Sequence, residues 1–113
     1  MSDHAEALAG LIWCPFPDEA AAAAAAAMLL EERLVACVNL VPGMRALFAW
    51  RGERGEARET GALLKTTAAR LDAAMRRLRA LHPYEAPAIT GWTAIADEAT
   101  LAWLREETSS PGD

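Results

Sequence analysis

The stretch from Leu34 to Trp50 constrains this chain more than any other. It is rich in Val, Leu and aromatic residues, yet Pro42-Gly43 breaks it in the middle. Strands commonly run about 5–6 residues, so a segment this long reads as one extended strand, bent or bulged at Pro42-Gly43. Arg51 to Glu56 is polar and contains two glycines, as a hairpin turn requires. Ala57 to Thr66 then returns as the partner strand.

The other elements are arranged around that hairpin. Ala7 to Trp13 is a short apolar run closed by Cys14-Pro15-Phe16-Pro17, which suits a buried first strand. A helix is expected to start near Pro17, with Asp18 and Glu19 complementing its positive end. The alanines from Ala20 to Ala27 propagate it, and Met28, Leu29, Leu30 and Leu34 are expected to supply its bulk. Thr66 or Thr67 can cap a second helix, in which Leu71, Met75, Leu78 and Leu81 or His82 recur at helical spacing. Pro83 ends it, because the residue before a proline is pushed out of the helical region. Tyr84 to Ala94 reads as a last strand interrupted by Pro87 and Gly91, and Asp97 to Thr108 as a terminal helix. This order predicts an α+β, ferredoxin-like βαββαβ fold with an antiparallel sheet and an extra C-terminal helix. Right-handed crossovers put both main helices on one sheet face. The other face would expose an apolar patch, so an oligomer is expected.

A chain of 113 residues supports one domain, with a core from about 8 to 108 and a fraying tail at 109–113. Its net charge of −5 argues against a nucleic-acid partner. The longest apolar run, Ala20 to Leu30, is too short to span a bilayer, which takes about 20 residues. The acidic N-terminus lacks the basic region of a secretory signal, so a reducing cytoplasm is the expected compartment, with both cysteines as thiols. No nucleophile elbow, P-loop or dinucleotide turn is visible, so neither an enzyme nor an organic cofactor is expected.

Three ordered blocks, LLEERLVACVNLVPGMRALFAWRGE, LLKTTAARL and LHPYEAPAI, resemble the CutA divalent-cation tolerance family from about Leu11 to Glu106. The resemblance implies a tight homotrimer similar in architecture to the PII signalling proteins, in which the long second and third strands extend into the neighbouring subunit. It also implies a role in the response to divalent metal ions, with copper ligands at Cys14 and His82. Another position that holds a histidine in some members is Leu81 here. A thiolate and an imidazole suit copper or zinc, but two ligands fall short of a closed site. Without a metal, Cys14 would pack as a small hydrophobe and His82 would cap a helix. The resemblance further places Cys37 near an inter-subunit cleft, beside the KT and HPYE segments.

Within that expected cleft, Lys65 is the single lysine beside ten arginines. A compact point charge just before a helix N-terminus, with Thr66 and Thr67, would make an anion-recognising corner; otherwise Lys65 is a surface residue. Tyr84 and Glu85 follow His82 closely enough to bring a phenol and a carboxylate to the same place, for acid–base work, for a metal, or for an ion pair with Lys65. Trp50 closes the long strand and could wall a pocket or pack at an interface. Two further functions thus stand beside metal response: a PII-like sensor of small anions, and a purely structural trimer.

Overall fold

The computed structural model describes residues 8–109; Ala7 and the tail beyond Ser109 lie outside them. Its elements run β1 (Ala9–Phe16), α1 (Glu19–Glu31), β2 (Cys37–Trp50), β3 (Glu53–Thr67), α2 (Ala68–Leu81), β4 (Thr90–Ala94) and α3 (Glu98–Thr108). The four strands form one sheet in the order β2-β3-β1-β4, antiparallel throughout. This is the expected ferredoxin-like arrangement with its additional helix.

Several boundaries differ from expectation. β1 continues through Cys14-Pro15-Phe16 because only β3 flanks it there; its pairing with β4 ends at Trp13 and Thr90. On that open side a proline without an N–H costs no ladder bond. α1 starts at Glu19, not near Pro17, because Asp18 serves as N-cap and accepts from the Ala21 amide at 2.8 Å. β2 begins at Cys37, not Leu34. The hairpin turn is only Arg51-Gly52, both with positive φ (50° and 81°), so Glu53 to Glu56 belong to β3. Two such residues make the tight turn whose twist matches antiparallel strands. The last strand is short: Pro83 and Pro87 lack the donors that would extend β4 before Thr90.

The irregularity in β2 falls where the proline and glycine placed it. Val41 pairs with Gly61, but the next registered pair is Met44 with Glu59, so β2 gains one residue there, and Gly43 takes a φ of 73°. Beyond it β2 and β3 continue as a two-stranded arm.

The core lies between the sheet and the helices α1 and α2. Ile12, Cys14 and Phe16 of β1 alternate inward and meet Ala62 and Leu64 of β3. From α1 come Ala22, Ala25, Ala26 and Leu29, at helical spacing. Met28 and Leu30 do not supply bulk as expected; they flank that stripe and are exposed. α2 contributes Ala74 and Leu78, with Leu71, Met75 and Leu81 half-buried beside them. α3 packs on β3 through a separate set of buried side chains that includes Leu101 and Leu104. No helix among the described residues is long and apolar enough to cross a membrane.

The opposite face of the sheet carries Leu11, Trp13, Pro15, Cys37, Gly61, Leu63 and Lys65, by alternation and register. Trp13 lies directly over Gly61: a Cβ there would collide with the indole. Large apolar side chains are exposed on the arm and near α3, including Leu47 at 69% and Ile95 at 93%.

Candidate functional site

The arm and the loop after α2 enclose a cleft of about 810 Å³. Phe48 and Trp50 of β2, Glu59 of β3, and Pro83, Tyr84 and Glu85 of the loop line it, with several alanines. Among the described residues, no Lys, Arg or His lines it. The Tyr84 hydroxyl donates to Glu59 Oε2 at 2.8 Å. Burial, then the bond to Glu59 and its charge, push the phenol up to about 12, so Tyr84 is a neutral donor at physiological pH. The cleft therefore presents two carboxylates and one phenol against apolar walls.

Of the residues singled out from sequence, Trp50, Tyr84 and Glu85 meet in this cleft. Cys37 and Lys65 do not join them within one chain. They are cross-strand partners, with Leu11 on the far side of Lys65, on the same sheet face. Lys65 lies six residues along β3 from Glu59, about 20 Å at the rise of a strand. The expected corner of Lys65, Thr66 and Thr67 does not form. Thr66 points to the opposite face, fully buried, and its hydroxyl has no hydrogen-bond partner among the described residues. Thr67 caps α2, accepting from the Arg70 amide at 3.3 Å.

Sequence reasoning passes over Glu59 and Phe48. Alternation along β3 from Lys65 puts Glu59 on the cleft face, whereas for Phe48 the signal was the one-residue shift of β2 at Pro42-Gly43. Counting strand alternation from Cys37 without that shift puts Leu47 there instead of Phe48.

Cys14 and His82 lie where β1 ends against the helices. Cys14 is 0% exposed, its Sγ 3.7 Å from the Pro15 carbonyl. Burial, and secondly the charge of Glu59, push its thiol up to about 12. The His82 ring stacks on Phe16 with centroids 4.3 Å apart. Its Nε2 lies 2.8 Å from the Pro15 carbonyl oxygen, and its Nδ1 3.0 Å from the Tyr84 amide nitrogen.

Comparison with known proteins agrees with this architecture. The family model described as CutA1 divalent ion tolerance protein matches residues 10–107. The chain belongs to the CutA1 family. A divalent-cation tolerance protein CutA of Thermus thermophilus is 43% identical over 93 residues, covering 81% of this chain and 90% of that protein. The crystal structure of CutA from Xylella fastidiosa superposes with a TM-score of 0.85 at 33% identity, covering 89% of this chain and 98% of that one. A structure from Archaeoglobus fulgidus, titled a periplasmic divalent cation tolerance protein CutA, gives 0.84 at 27% identity over 89% and 99% of the two chains.

For a CutA1 chain, the first question is whether Cys14 and His82 fit a metal. The atoms as arranged do not. A metal takes an accessible sulfur and a free imidazole lone pair; here Cys14 is fully buried with its Sγ against the Pro15 carbonyl, and both ring nitrogens of His82 are engaged. Among the described residues, no three His, Cys, Asp or Glu side chains converge in a group able to hold a metal ion.

Proposed function

We propose that this CutA1 chain acts in divalent-cation tolerance as a non-catalytic, cytoplasmic homotrimer. It meets its ion, copper(II) or another divalent cation, at the cleft of Glu59, Tyr84 and Glu85, not through Cys14 and His82. The observation that carries this reading is the chemistry of the cleft: oxygen donors, two of them carboxylates, and no positive side chain in the lining among the described residues. Oxygen donors suit hard and borderline divalent ions. One chain supplies too few donors to close a site, which is why the reading includes a trimer. The apolar surface of the arm and of the neighbourhood of α3 supports that assembly, since monomers rarely expose so much. The alternative of an anion sensor would need Lys65 from a neighbouring copy, because no Lys, Arg or His among the described residues of one chain lines the cleft.

Calorimetry with copper(II) and zinc(II) tests the reading on wild type, Cys14→Ser/His82→Asn, which keeps an acceptor for the Tyr84 amide, and Glu59→Gln/Glu85→Gln. Binding heat should survive the first double substitution and disappear in the second. The reverse pattern, or no heat from wild type, overturns the cleft as the ion's site. Light scattering tests the assembly, and a mass of 12.1 kDa, that of a single chain, would refute it.

A further inference from the structure

Residues 82–89 connect α2 to β4 without regular strand pairing, yet Tyr84 within that stretch meets Glu59 at 2.8 Å. Its placement traces back to one side chain. His82 is 7% exposed, flat against Phe16 with an interplanar angle of 24°. A carbonyl oxygen can only accept and an amide N–H can only donate. The contacts at Pro15 and Tyr84 therefore assign the ring: the proton is on Nε2 and the lone pair on Nδ1.

Each contact replaces something the fold lacks at that spot. β4 ends opposite Trp13, so no strand is available to satisfy the Pro15 carbonyl, and His82 Nε2–H does so. Among the described residues no strand pairs with the loop, and Nδ1 accepts from the Tyr84 amide. The imidazole is thus a rung between the end of β1 and the loop, in place of two missing ladder bonds. Tyr84 then extends from the fixed backbone to β3, its ring 4.9 Å from that of His82.

We infer that His82 is a positioning residue of the cleft: as the neutral Nε2–H imidazole it holds the Tyr84 backbone so that the phenol meets Glu59, and in that role it does not ligate a metal ion. A metal could take Nδ1 only by displacing the Tyr84 amide, or Nε2 only by displacing its proton from the Pro15 carbonyl. The inference deepens the cleft reading above but stands on different atoms, so the two can fail separately.

Three variants divide the functions of the ring. His82→Phe keeps only the stack on Phe16. His82→Asn keeps an acceptor at the δ position for Tyr84, and His82→Gln a donor at the ε position for Pro15. Nuclear magnetic resonance of the ring nitrogens and amide exchange of Tyr84 are the readouts, with circular dichroism confirming the sheet. Wild-type His82 should show the Nε2–H tautomer, unchanged by one equivalent of zinc(II). Tyr84 amide exchange should accelerate about tenfold or more in His82→Phe and His82→Gln, and stay near wild type in His82→Asn, as expected when one closing hydrogen bond is lost. An Nδ1–H tautomer, a zinc-induced shift of the His82 nitrogens, or undiminished Tyr84 protection in His82→Phe overturns the inference. If His82→Phe does not fold, the tautomer, the zinc titration and the contrast between Asn and Gln still decide it. Loss of the calorimetric cleft signal with these results intact would remove the ion reading and leave the positioning role standing.

Discussion

Cys14 should be one of the least reactive thiols a protein can carry. It sits between Ile12 and Phe16 on the buried face of β1, and its thiol is raised from 9.0 to about 12, by burial first and by the Glu59 charge second. The thiolate is the nucleophile and the metal ligand. Three pH units lower the thiolate fraction at pH 8 about a thousandfold relative to an ordinary cysteine, and lack of access lowers the rate further. Ellman's reagent on native protein at pH 8 should therefore modify no more than one of the two cysteines, Cys37, and both in denaturant. In Cys37→Ser the native protein should be silent, with one full equivalent released on unfolding. A Cys37→Ser protein that reacts natively at a rate within about tenfold of a free thiol would refute the buried, protonated Cys14. The same shift has a stability consequence. A group whose value is raised on folding contributes fully below its unfolded value, here 9.0, and the contribution is lost as pH rises toward about 12.

Tyr84 is the only tyrosine, so absorbance at alkaline pH reports it alone. Its midpoint should lie near 12 against an ordinary 10.0, and Glu59→Gln should lower it while burial, the larger cause, keeps it above 10.0; an unchanged midpoint would sink the hydrogen bond. Its contribution to stability should be present below 10.0 and fade as pH rises toward about 12. Gly10→Ala puts a methyl 2.8 Å from the Thr67 carbonyl and 3.2 Å from Leu71 Cβ. Urea unfolding should show a loss of about 1–3 kcal/mol, and a neutral result would mean that the β1–α2 contact gives way easily. Asp18→Ala removes the α1 cap and should cost about 1 kcal/mol by the same assay.

The fold was legible because its signals were local and strong. Leu71, Met75 and Leu78 at helical spacing, Pro83 as a stop and Pro42-Gly43 as a bulge each specify backbone geometry without reference to a distant partner. Errors arose where a neighbour decided the outcome. Pro15 reads as a strand terminator until one sees that β4 stops short and leaves that side of β1 open. Met28 and Leu30 read as core until the alanines at 22, 25 and 26 define the buried stripe. The candidate site was legible in part. Tyr84, Glu85 and Trp50 belong together, but Phe48 enters only through the shifted register of β2 on β3. Thr66 and Lys65, adjacent in sequence, face opposite sides of the sheet, as the pleat requires. The Nε2 contact of His82 depends on a carbonyl 67 residues away, and no spacing rule could supply that.

The extra residue at Pro42-Gly43 has a consequence for how the arm responds to change. From Cys37 to Val41 the odd-numbered residues of β2 share a face with the odd residues of β3; from Met44 onward the even-numbered ones do. The chain thus switches parity in mid-strand, and this is what brings Ala46 and Phe48 round to the side of Glu59. Removing Gly43 alone would leave every downstream side chain chemically intact yet invert the arm, turning Arg45 and Leu47 inward and Phe48 outward. A length change of one residue would rewrite the chemistry of the cleft more thoroughly than any single substitution, while the helix-covered body of the sheet kept its register.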